Sequence, residues 1–188
     1  MRSPVDDAVT ALAAGRLVVY PTDTLLALGA SARDPAAIAR LESAKGRPSG
    51  QPISVAVSSV PEVEAFGDLG GPARRFLRTH LPGPYTVLLR PSDLARRRLA
   101  PRIFAESGTL GLRVPDHPVA RELARRAGPV SATSANYHGA PPCQSLTEAR
   151  AVFGSRVGVY LAFDPPGSGR PSMLVDLTRD EPRATPRR

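Results

Sequence analysis

The sequence predicts an α/β domain, and three observations carry that expectation. Short β-rich apolar runs alternate along the chain with segments of helical periodicity, no internal repeat or long linker interrupts the alternation, and 188 residues suffice for one core. The short apolar runs read as buried strands, so helices are expected to pack on a largely buried sheet.

The elements follow in order. Val5, Ala8, Val9 and Leu12 share a helical face behind Asp6 and Asp7, which suit a helix N-terminus, and Gly15 ends the pattern. Leu17-Val18-Val19-Tyr20 is a strand stopped by Pro21. Asp34-Pro35 opens a helix that Gly46 closes, with Ile38 and Leu41 on one face. A strand is expected over 52–57, a basic helix over 71–80, and strands over 85–89 and 109–114. Asp116 is expected to cap a helix over 118–127, Val130 to lie in a short strand, 146–153 to be helical, and 157–161 and 173–177 to close the sheet. Between 91 and 108 the pattern is weak, and Arg96-Arg97-Arg98 suggests a mobile basic loop. One domain is expected over 1–178 and a weakly held basic tail over 179–188.

Composition narrows the function. A 41% hydrophobic and 22% charged content excludes a disordered tail protein, although 21 Pro and 16 Gly predict long loops. No apolar run approaches the ~20 residues of a membrane span, and the first ten residues lack a signal-peptide apolar core, so a soluble cytoplasmic protein is expected. A single cysteine, Cys143, fits a reducing compartment. The net charge of +8 reads either as a solvated surface or as a face for a polyanion. The cations are arginines except for Lys45, and the 5% of aromatics do not interleave with them, which disfavours a base-stacking platform.

Several polar clusters fall where strands end, the usual location of sites in open α/β sheets. Thr22-Asp23-Thr24 reads as turn chemistry or as part of a site. Lys45-Gly46-Arg47-Pro48 places an ammonium and a guanidinium two apart at a helix end, where they suit either the helix dipole or neighbouring oxygens of a polyphosphate. Arg113, in Gly111-Leu112-Arg113-Val114-Pro115, sits between apolar neighbours and needs a partner, either a carboxylate such as Asp116 or a bound anion. The stretch from Ser131 to Asn136 is rich in hydroxyls and free of bulk. The run from Asp164 to Gly169 reads as a flexible loop leading to Ser172. Walker, dinucleotide and zinc-protease motifs are absent, and the three histidines are scattered, so no protein-held metal is expected.

Taken in order, these pieces resemble the YrdC-like threonylcarbamoyl-AMP synthases, a domain also found in hydrogenase-maturation carbamoyltransferases. The resemblance rests on Tyr20-Pro21-Thr22-Asp23-Thr24, on Lys45-Gly46-Arg47-Pro48 with Pro52, and on Pro82-Gly83-Pro84-Tyr85-Thr86. It continues through Gly111 to Pro118, Ser134-Ala135-Asn136 with Gly139, and the stretch from Ser172 to Asp176. It implies a twisted mixed sheet enclosing an open, positively charged cavity. It also implies a nucleotidyltransferase that joins L-threonine, bicarbonate and ATP, with Mg²⁺ on the ATP, into threonylcarbamoyl-adenylate, which other proteins use for the t6A modification of tRNA.

By the same resemblance, Lys45 and Arg47 are the catalytic cations on the ATP phosphates, with Gln51, Thr109 and Asn136 beside the nucleotide. Thr24, Arg113, Ser134 and Ser172 surround threonine. Leu26, Ala56, His138 and Met173 stand where many relatives carry an aromatic, a histidine, a serine and a threonine. Two further functions compete: a module that binds double-stranded RNA, and a carbamoyl-transfer relative with another substrate.

Overall fold

The computed structural model describes residues 3–48, 50–162 and 167–185. Helix α1 (Pro4–Ala13) starts with a capping box, in which Ser3 and Asp6 bond each other's backbone amides. It leads into β1 (Leu17–Tyr20), which pairs antiparallel with β2 (Ala27–Gly29). Helix α2 (Pro35–Lys45) is capped by Asp34 and ends at Gly46 in the left-handed conformation with φ of 60°, so the chain turns out of the helix directly after Lys45.

The chain then forms β3 (Val55–Ala56), α3 (Val60–Phe66), β4 (Gly67–Asp68), α4 (Gly71–His80) and β5 (Tyr85–Pro91). Next come α5 (Asp93–Arg98), a 3-10 turn at Pro101–Ile103, β6 (Leu110–Arg113), α6 (Pro118–Ala127), β7 (Val130–Ser131) and β8 (Thr133–Ser134). Helix α7 (Leu146–Phe153), β9 (Val157–Tyr160), β10 (Met173–Asp176) and β11 (Arg183–Thr185) complete the described chain.

The strands divide into two mixed sheets where one was expected. The smaller runs β8-β2-β1-β9, and the larger runs β11-β10-β5-β6-β3-β7 with β4 on β5. Both faces of β1 are covered, because Leu17 and Val19 enter one core cluster with Leu28, Leu41, Leu112 and Phe153, while Val18 and Tyr20 enter another with Leu12 and Leu123. This explains the unbroken apolar run.

The segment from β7 to β8 belongs to both sheets and joins them. Ser131 accepts a hydrogen bond from the Ala30 amide at 2.8 Å, its carbonyl accepts one from the buried Tyr20 hydroxyl at 3.0 Å, and the Ala132 amide donates to Ser54 O at 2.7 Å. Ser134 and Asn136 emerge from this junction.

Several expectations are corrected. The 91–108 stretch is not a loose loop: Ser92 caps α5, and Arg102 pairs with the buried Glu42. Helix α6 begins at His117, and Asp116 stands exposed 4.0 Å from Arg121 instead of capping. Residues 183–185, assigned to a weakly held tail, pair as β11 with β10. Residues 164–166 of the expected loop, and residues 186–188 of the tail, lie outside the described residues. Among the described residues no helix is long and apolar enough to cross a membrane.

Candidate active site

A small cleft opens at the sheet junction, walled by Thr24, Leu26, Arg113, Thr133, Ser134 and Ser172 among others. The four residues assigned to threonine by resemblance thus meet here, although they come from four separate parts of the chain. Thr22, Thr24, Leu25 and Leu26 are also shared with a larger cleft of about 440 Å³, whose remaining wall includes Gln144, Ser145, Leu146 and Gly167 to Gly169.

Arg113 ends β6 with only 5% of its surface exposed. Its Nη2 donates to Asp23 Oδ1 at 2.6 Å and its Nη1 to Thr24 Oγ1 at 2.9 Å. The protein partner is therefore Asp23 and not Asp116. Sequence spacing could not select between them, because the turn after β1 reaches β6 only through tertiary packing. Burial pulls the Arg113 pKa down, and the charges of Asp23 and Tyr20 pull it back up. Arg113 Nε and Asp23 Oδ2 are buried without hydrogen-bond partners, so a charged group with both donor and acceptor character finds unmet capacity beside the cleft.

The turn that presents Thr24 is held from two sides. The Thr22 hydroxyl contacts Thr24 Oγ1 at 3.0 Å and donates to Leu25 O at 2.7 Å. Opposite, the amides of Ser168 and Gly169 donate to Asp23 O and Thr24 O at 3.0 and 2.9 Å. A side chain at Gly167 would place Cβ 2.4 Å from Thr22 O, so only glycine lets this segment seat on the turn. Ser172 contacts Thr86 Oγ1 at 2.7 Å, which fixes the far end of the same segment.

Lys45 is 2% exposed, and all three of its protons are engaged. Nζ donates to Ser134 O at 2.5 Å, Asn136 O at 2.9 Å and Asn136 Oδ1 at 3.1 Å. The sequence suggested a flexible ammonium; the structure places a fixed one that clamps the end of α2 to the segment after β8. Burial, and secondarily repulsion from Arg47, lower its pKa to about 8. Arg47 donates to Thr133 Oγ1 at 3.3 Å and to Pro52 O at 2.7 Å, while its Nε is buried and unpaired.

Lys45 and Arg47 both reach β8, through Ser134 O and Thr133 Oγ1, while Arg113 bonds Asp23 and Thr24 and shares the small cleft with Thr133 and Ser134. Asn136 joins them through Lys45 and through the Ser134 hydroxyl, which donates to Asn136 Oδ1 at 2.6 Å. Thr109 contacts Ser107 at 3.0 Å, and Gln51 and Thr109, like Lys45, Arg47 and Asn136, lie outside the lining of the two clefts. Thr86, Gln144 and Gly167 are not singled out as site residues by the sequence, and Asp23 enters there only as part of the Thr22–Thr24 cluster, with no link to Arg113. The only signal for Thr86 was its motif, and for Gly167 its place in a Gly- and Pro-rich run. Leu26 lines both clefts, Ala56 is buried in β3, and His138 and Met173 are exposed.

The sequence description of the Sua5/YciO/YrdC family, titled Telomere recombination, matches residues 10–188. The chain belongs to this family. Its Sua5/YciO/YrdC relatives include a protein of Mycobacterium tuberculosis named putative threonylcarbamoyl-AMP synthase, 40% identical over 177 residues, covering 94% of this chain and 80% of that protein. A Chromohalobacter salexigens threonylcarbamoyl-AMP synthase is 36% identical over 179 residues, covering 94% of each.

Among solved structures, P. abyssi Sua5 complexed with L-threonine superposes with a TM-score of 0.84 at 27% identity, covering 96% of this chain and 52% of that one. The chain therefore spans about half of that Sua5 structure. E. coli YciO superposes at 0.83 with 25% identity, covering 96% of this chain and 86% of that one.

Proposed function

We propose that this chain is a threonylcarbamoyl-AMP synthase. The observation that carries the reading is the small cleft in which Thr24, Arg113, Ser134 and Ser172 meet, sharing a wall with a larger cleft. The names of its relatives and the threonine complex of P. abyssi Sua5 support it.

In this reading the small cleft takes L-threonine, with its carboxylate on Arg113 and its polar groups among Thr24, Ser134 and Ser172. The neutral amine attacks bicarbonate to give the carbamate and water. A carbamate oxygen then attacks the α-phosphorus of ATP, and pyrophosphate leaves. No protein nucleophile is required, so the chain's contribution is to place the two substrates and to stabilise charge on phosphate oxygens.

In this reading the nucleotide takes the larger cleft, and Lys45, Arg47 and Asn136, which do not line it, are assigned to its phosphates by the family resemblance. Lys45 acts there as a fixed positive charge behind Ser134 and Asn136, and Arg47 as the guanidinium with an unused N–H. Mg²⁺ enters in this reading with ATP, as the Mg–ATP substrate.

The test is to incubate the protein with ATP, bicarbonate and each of several amino acids and to measure pyrophosphate. Threonine-dependent release supports the reading. Release with another amine alone favours the carbamoyl-transfer alternative, and binding of RNA duplex without any turnover favours the nucleic-acid module.

A further inference from the structure

Glu42 is an unexpected neighbour for a phosphate site. It lies in the last turn of α2 with only 4% of its surface exposed, and its carbonyl accepts the Arg47 amide at 3.0 Å. A carboxylate is thus buried in the very turn that presents Lys45 and Arg47. One of its oxygens pairs with Arg102, from the 3-10 turn after α5, and the other is buried without a hydrogen-bond partner. Arg102 is half exposed, but its guanidinium ends on Glu42.

A buried anion at this place opposes a triphosphate, and it also disfavours the negative end of the α2 dipole, so core packing alone gives no reason for it. The field of Glu42 does reach Arg47, whose pKa it raises against the effect of burial.

We infer that Glu42 and Arg102 form a charge pair behind the nucleotide site that sets ATP affinity without touching ATP: Glu42 weakens the attraction of Lys45 and Arg47 for phosphate, and Arg102 cancels part of that effect. Both are positioning residues in an electrostatic sense. The inference rests on the assignment of Lys45 and Arg47 to the phosphate side. It gives opposite signs for the two partners, which a merely structural ion pair does not.

The experiment is calorimetric titration of Mg–ATP into the full chain and its Glu42→Gln, Arg102→Gln and doubly substituted variants, at low and high salt. Glu42→Gln tightens ATP binding by ~5-fold and Arg102→Gln weakens it by a similar factor, for a charge partly screened by protein and solvent. The double variant returns to within about twofold of wild type, and all differences shrink as salt is raised. L-threonine affinity stays within about twofold in each, because only the field at the phosphates has changed.

Glu42→Gln leaves a half-exposed Arg102 and no buried unpaired charge, so it decides the matter alone if Arg102→Gln does not fold. Unchanged or weaker ATP binding by Glu42→Gln overturns the inference, as does a double variant as impaired as Arg102→Gln. An Arg47→Ala variant separates the two layers: full ATP affinity there overturns the phosphate-side assignment, and this inference with it.

Discussion

Arg113 donates to Asp23 at 2.6 Å across 90 residues of sequence, with side-chain exposures of only 6% and 11%. A buried pair of this kind has high stakes, because removal of one partner leaves the other charged and out of water, at a cost of about 3–5 kcal/mol. The pair also holds the guanidinium at the mouth of the small cleft, so stability and substrate recognition meet in one contact.

Arg113→Lys keeps the charge but loses the planar fork that bonds Asp23 and Thr24 together. The threonine KM is expected to rise by ~10- to 100-fold while the ATP KM changes little, as loss of one charge-assisted hydrogen bond implies. Steady-state kinetics with each substrate varied in turn checks this, and equal effects on both substrates would remove the carboxylate assignment.

Lys45 supplies a pH dependence. Its folded pKa of about 8 lies below the ordinary lysine value of 10.5, so the folded chain loses this proton first. Between those two values the unfolded state binds more protons, and the Lys45 contribution to stability therefore rises with pH, while its full desolvation penalty applies below the folded pKa. ATP affinity is expected to move the other way, since the role proposed for Lys45 needs the ammonium. ATP titrations across this window are expected to show weakening as pH passes about 8. Lys45→Arg, which stays charged, is expected to flatten that profile.

Lys45→Ala removes the donor to the carbonyls of Ser134 and Asn136 as well as the charge. Thermal unfolding is expected to report a loss of roughly 1–3 kcal/mol for the stranded acceptors. Pyrophosphate release is expected to fall as well, and an unchanged turnover would contradict the role given to this charge.

Gly167→Ala forces a Cβ toward Thr22 O and Thr24 O, at 2.4 and 2.6 Å, both of them backbone atoms that cannot swing aside. The segment bearing Ser172 then shifts off the Thr22–Thr24 turn, and threonine kcat/KM is expected to fall by at least ~10-fold, as it does when positioning contacts loosen. Gly71→Ala is the control, since nothing lies within 4 Å of a Cβ there. Equal behaviour of the two variants would show that the close seating of Gly167 has no catalytic consequence.

Much of the fold was legible because local signals agreed with tertiary packing. Asp34-Pro35 and Gly46 bracket α2, and the apolar run at β1 is buried on both faces. The short strands β2, β4 and β8, two or three residues each, escaped a reading based on periodicity because they exist only through their partners. The site divides in the same way. Thr24, Arg113 and Ser134 fall in polar stretches near strand ends, their grouping with Ser172 came from the family resemblance, and the structure gathers all four in one cleft. The partnership of Arg113 with Asp23, the immobilisation of Lys45 and the pairing of Arg102 with Glu42 all depend on long-range contacts. Spacing along the chain carries no information about any of these.

The most direct measurement is the mass of the nucleotide product formed from ATP, L-threonine and isotopically labelled bicarbonate by the purified chain. A threonylcarbamoyl-adenylate carrying the label in its carbamoyl carbon, formed together with pyrophosphate, is the predicted result. ATP turnover that ignores threonine, or an adenylate without the labelled carbon, would contradict the account.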